Sequence, residues 1–66
     1  MGLKENLKRK IKENMLTASG LAQISGVSIQ SINNYKMGYC YPGSRELHRI
    51  ARALGCTMDE LMEGEE

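Results

Sequence analysis

Phenylalanine and tryptophan are missing from this chain of 66 residues, and three tyrosines are its only aromatics. The core must therefore be aliphatic, an inventory that suits small helices packed through Leu and Ile. Metal-binding residues are almost as scarce. Cys40 and Cys56 lie 16 residues apart with the single histidine, His48, midway, and no CxxC pair occurs. A zinc site would lack its fourth ligand, so no metal and no cofactor are expected, and both thiols read as reduced. Cys56 reads as a small core residue, whereas Cys40 keeps a redox or intermolecular role open. Long apolar runs are absent too, since nothing approaches the roughly 18 residues of a membrane span. Leu3, Leu7 and Ile11 follow the first lysines but are separated by polar residues, unlike the continuous core of a signal peptide. The expectation is a cytoplasmic chain with no membrane association. Its length gives one domain over residues 1–66, with no space for a second domain that would sense a small-molecule ligand.

Charge of either sign is also nearly absent in sum. The formal net charge is +1 and the pI about 7.8, below the value of about 9 that flags nucleic-acid binding unaided. The sum hides a segregation. Residues 1–58 hold nine Lys and Arg against Glu5, Glu13 and Glu46, a net +6, while residues 59–66 hold five acids and no base. A basic body thus carries an acidic end.

The residues present are patterned for helices. Leu3, Leu7 and Ile11 recur every fourth residue, predicting a first helix over about residues 3–13 with a cationic outer face. That face reads as solvated for most of its lysines. Thr17 caps a second helix through Leu21, Ala22 and Ile24 that ends at Gly26, and Gly20 inside it costs about 1 kcal/mol against alanine unless something approaches closely there. Ser28 caps the next helix. Gly38 to Gly43, with two glycines and the only proline, form a loop. Ser44 is expected to cap a fourth helix carrying Leu47, Ile50, Ala51 and Leu54 and stopping at Gly55. Thr57-Met58-Asp59-Glu60 has the form of a capping box for a last helix through Leu61 and Met62. A short helix, a tight glycine turn and a second helix make the arrangement of a helix-turn-helix DNA reader.

Two stretches carry a wider resemblance: LTASGLAQISGVSIQSINNYKMG from Leu16 to Gly38, and IARALGCTMDELM from Ile50 to Met62. They resemble the Cro and lambda-repressor-like helix-turn-helix family, with its L-T, L-A, G-V-S, Y-x-x-G and A-x-x-L-G-x-x-x-D-E-L signatures. The resemblance spans almost the whole chain. It implies an all-α fold of five helices in which the second crosses the DNA backbone and the third, about residues 29–36, enters the major groove.

Placed at about 100° per residue, Ile32 and Tyr35 share one side of helix 3, while Gln30, Asn33, Asn34 and Met37 gather on the other. Asn is a poor helix former, and a purely solvated helix is better served by Lys and Glu. Amides do offer a paired donor and acceptor matching N6 and N7 of adenine, and an apolar Ile29 at the edge can meet a thymine methyl. The resemblance implies base contacts by Ile29, Gln30 and Asn34, helped by Asn33, with Ser28 at base or phosphate. The start of helix 2, at Thr17, Ala18 and Ser19, would hold a phosphate through its N–H groups and helix dipole.

Three departures from the family pattern bear on the backbone grip. Ala18 stands where a bracing glutamine is usual, and Lys36 where an acid usually follows the aromatic. Lys36 therefore either forms a reversed pair with Glu13 or touches phosphate itself. Tyr39, Cys40 and Tyr41 occupy a loop that often offers cations. Tyr39 can still bond phosphate through its hydroxyl, but the salt dependence of binding should be shallow, at roughly 0.9 in log–log slope per phosphate. Tyr39, Cys40, Tyr41 and Pro42 equally suit a dimer surface.

These readings converge on a small transcriptional regulator without a catalytic site. It would act as a repressor that binds double-stranded DNA as a homodimer. His48 has no nucleophile or carboxylate at a spacing that suggests a triad. The competing reading is a protein-interaction or antitoxin-like module that keeps this fold and binds DNA weakly.

Overall fold

The computed structural model describes residues 2–64, and Glu65 and Glu66 of the acidic end lie outside them. Five helices follow one another: α1 (Leu3–Glu13), α2 (Ala18–Ser25), α3 (Ile29–Met37), α4 (Ser44–Leu54) and α5 (Met58–Met62). α1 packs on α3 and α5, α2 on α3 and α4, and α4 on α5. The core takes Leu3, Leu7 and Ile11 from α1, Leu21 from α2, Ile32 and Tyr35 from α3, Ile50, Ala51 and Leu54 from α4, and Leu61 from α5. Each fully buried Leu or Ile contributes about 1.5–3 kcal/mol, so the aliphatic stripes account for why the helices meet on these faces. No helix among the described residues is long and apolar enough to cross a membrane.

The helix ends follow their capping chemistry. Thr17 Oγ1 accepts from the Gly20 N–H at 3.0 Å, and Thr57 Oγ1 from the Glu60 N–H at 3.0 Å. At α1 the Glu5 carboxylate accepts the Gly2 N–H at 3.1 Å. Its own N–H and that of Gly2 hold the Glu5 carboxyl below its ordinary 4.5. Ser44 does not cap α4. Gly43 occupies the cap position and Ser44 is the first helical residue. A Cβ on Gly43 would lie 3.0 Å from Glu46 Oε1, so the Glu46 carboxylate folds back over the helix start, where the dipole favours an anion.

Two asparagines overlooked in the sequence tie the helices together. Asn6, 2% exposed, donates from Nδ2 to the Leu61 carbonyl at 2.9 Å and the Glu63 carbonyl at 2.7 Å, satisfying the C-terminal end of α5. Asn14 donates to the Lys10 carbonyl at 2.8 Å and the Leu54 carbonyl at 3.3 Å, joining the ends of α1 and α4. Lys10 adds an ion pair from α1 to Glu60 of α5 at 3.5 Å. Met15, an exposed residue without glycine's freedom, takes a left-handed φ of 56° where α1 turns towards α2.

Candidate nucleic-acid interface

The turn between α2 and α3 is built from three consecutive residues. Gly26 adopts φ 76°, ψ 11°, which glycine reaches without the steric penalty of a Cβ, and its N–H returns to the Ala22 carbonyl at 3.0 Å. Val27 is buried, and its N–H donates to Ser25 Oγ at 3.2 Å. Val27 enters the sequence reading only as the middle of the G-V-S signature, although a valine directly after a helix-ending glycine is a legible apolar anchor for the turn. Ser28 then caps α3, accepting from the Ser31 N–H at 3.2 Å and donating to Ser31 Oγ at 2.9 Å. The outer crease of the turn is a shallow concavity of about 460 Å³ lined by Ser19, Ala22, Gln23, Gly26, Val27, Ser28 and Ile29.

α3 divides as its wheel predicts. Ile32 and Tyr35 are buried, Gln30, Asn33 and Met37 are exposed, and Ile29 is 46% exposed at the border. Asn34 is half-buried, and its carbonyl accepts the Tyr39 N–H at 2.9 Å as the chain leaves the helix. The four proposed base-reading residues therefore share one helix, with Ile29, Gln30 and Asn33 exposed and Asn34 half-buried. Thr17 and Ser19 are exposed at the start of α2, while Ala18 is half-buried against the core. The first N–H groups of a helix have no intrahelical partner, and Thr17 takes only that of Gly20.

Lys36 is half-buried near the C-terminal end of α3. The reversed pair with Glu13 does not form. Glu13 instead pairs with Arg9 at 3.9 Å and Lys10 at 3.7 Å, because its own helix places both cations one turn away. Tyr39 and Tyr41 stand 74% and 66% exposed with exposed Cys40 between them, and Pro42 is half-buried. Cys56 lies partly buried against the core, and that burial pushes its thiol up from its ordinary value. His48 sits on the exposed side of α4 with Arg45, Arg49 and Arg52.

Known proteins can be set beside this geometry. A helix-turn-helix family model matches residues 7–61, from the middle of α1 to Leu61. No curated protein sequence matches the chain. Among solved structures, the P22 c2 repressor protein in complex with a synthetic operator superposes with a TM-score of 0.90. The two are 23% identical, and 98% of each chain is covered. At that identity the likeness speaks for the fold, and it is the fold that the resemblance implied. The family match takes in both helices of the motif, the turn between them and the helices that brace it, and the chain belongs to the Cro and lambda-repressor-like family of DNA-binding helix-turn-helix proteins.

Proposed function

We propose that the chain is a sequence-specific transcriptional regulator, acting as a repressor, that binds double-stranded DNA with α3 in the major groove. The observation that carries this reading is the amide face of α3, where Gln30 and Asn33 are exposed opposite the buried Ile32 and Tyr35. Gln30, Asn33 and Asn34 would hydrogen-bond base edges, and Ile29 would meet a thymine methyl. Thr17, Ala18, Ser19 and Ser28 would hold phosphate at the helix starts, with Lys36 and Tyr39 at the far end of α3. Ser28 keeps its hydroxyl in the cap to Ser31, so its phosphate contact would come through its backbone.

The P22 c2 repressor carries the same fold on an operator, which supports this docking. Two copies would bind a palindrome with half-sites about 34 Å apart, one turn of DNA, and occupancy would block transcription. The chain would act in the cytoplasm and without a catalytic site. Selection from a random-sequence duplex pool tests the proposal. Enrichment of a defined, partly symmetric site bound by two chains is expected, and a pool left unenriched would remove it.

One feature favours a protein-binding reading instead. Ile24 is 58% exposed and lines a groove of about 320 Å³ between α2 and α4 with Ser25, Arg49, Arg52 and Ala53. An interaction or antitoxin-like module would use such a groove or the tyrosine loop, and would leave the duplex pool unenriched.

A further inference from the structure

The geometry points to Lys4, on α1, as a phosphate-binding residue of the DNA interface, delivered to the end of the recognition helix. This inference rests on the DNA-binding reading above and names a contact which that reading lacks. From Glu13 to Ser44, through both helices of the motif and the loop that follows, the sequence holds a single cation, Lys36. Phosphate neutralisation supplies most of non-specific DNA affinity, so a motif with one lysine needs charge from elsewhere.

α1 provides it through the packing of its first turn on α3. The Lys4 stem lies across Gly38, the residue that ends α3. A Cβ built on Gly38 would stand 3.2 Å from Lys4 Cδ, 3.9 Å from Cε and 4.0 Å from Nζ. Gly38 thus serves twice. Its φ of 79° closes the helix, and its bare Cα leaves the channel in which the lysine stem runs. The ammonium is thereby carried to the junction of α3 and the tyrosine loop, two residues from Lys36. Its side chain remains 45% exposed.

Among the described residues Lys4 pairs with Glu5 at 3.7 Å, and that carboxylate is also engaged by the Gly2 N–H. An exposed pair of this kind is worth little and is readily exchanged for a phosphate. Arg9 and Lys10, further along α1, already face Glu13 and Glu60. A purely structural role also exists, because an ammonium at a helix C-terminus complements the dipole. The two roles separate in the salt dependence of DNA binding, which a structural role does not move.

The test compares the wild-type chain with Lys4→Gln and Lys4→Arg. Affinity is measured by fluorescence anisotropy on a selected-site duplex and on a mixed-sequence duplex of equal length. For Lys4→Gln the slope of log affinity against log salt should become shallower by about 0.9 on both duplexes. The wild type should then lose about 3.5-fold more affinity than the variant between roughly 50 and 200 mM salt. Lys4→Arg should keep the wild-type slope, and neither variant should alter base preference. A Lys4→Gln slope equal to that of the wild type overturns the inference while leaving the DNA-binding reading in place, even if the melting temperature falls. Failure of the wild type to bind either duplex removes both.

Discussion

Asn6 offers the sharpest test of how this small domain holds together. Its amide sits at 2% exposure and donates to the carbonyls of Leu61 and Glu63, at 2.9 and 2.7 Å. Asn6→Ala removes both donors. Each bond is worth about 1 kcal/mol net, and the Leu61 carbonyl is then left buried without its partner, so the loss should be about 2–3 kcal/mol. Natural domains hold roughly 0.05–0.15 kcal/mol per residue, so this is a large part of the whole. In a domain of this size it corresponds to a fall in Tm of roughly 8–24 °C, read by far-UV circular dichroism. Asn6→Asp adds a second signature. Its carboxylate would face two carbonyl oxygens, so the folded pKa is raised above the unfolded value of about 3.9. Stability is then present below that unfolded pKa and lost as pH rises through the folded one, so the variant should become more stable on acidification from neutrality. A change in Tm under about 2 °C for Asn6→Ala, or no gain for Asn6→Asp in acid, would refute this account of the α1–α5 junction.

Three further substitutions probe the motif and its frame. Gly20→Ala should raise stability by about 0.5–1 kcal/mol, because the new Cβ meets only Leu16 Cδ2 and Thr17 Oγ1, each at an ordinary 3.5 Å. A lower Tm would refute that, and weakened DNA binding by the more stable variant would place a phosphate close to Gly20. Asn34→Ala should relax preference at one base position at a cost of about 1–3 kcal/mol, and unchanged preferences in a repeated selection would take Asn34 off the reading face. Glu5→Gln tests the α1 start. The folded pKa of Glu5 is lowered, so its contribution is present above the unfolded pKa and lost as pH falls through the folded value. The wild type should therefore exceed the variant in Tm near neutrality and converge with it well below pH 4.5; a gap that persists in acid would speak against the Gly2 N–H as its cause.

Most of the fold was legible because it rests on two local signals, one periodic and one a helix stop. Apolar residues at helical spacing marked the buried stripes of α1 and α4, and glycines at 26, 38 and 55 marked helix ends that all take positive φ. The face of α3 was legible for the same reason, since nine residues of helix leave little freedom over which side meets the core. Contacts between distant segments were not legible. Nothing local to Asn6 announces that its amide reaches residues 55 and 57 positions away. Nor does a wheel of α1 show that Glu13 prefers Arg9 and Lys10 to Lys36. The cap of α4 was misplaced by one residue because Ser44 has the right chemistry, while Gly43 has the space that Glu46 requires.

Charge and shape divide the proposed interface in a consistent way. Every cation counted into the basic body lies outside the motif except Lys36, so net charge was a poor guide to what α3 does. Phosphate charge sets how tightly such a protein holds any duplex, whereas base edges set which duplex it prefers. A motif with one internal lysine and an amide surface gives little to the first and much to the second. On the proposed function its non-specific background should be low, and a modest set of hydrogen bonds would then suffice for a useful ratio between right and wrong sites. The exposed tyrosines fit that economy, since a hydroxyl can touch a phosphate oxygen without displacing a counterion. Lys4 laid over Gly38 restores one charge at the one end of α3 where the helix start cannot supply a phosphate contact through its own N–H groups.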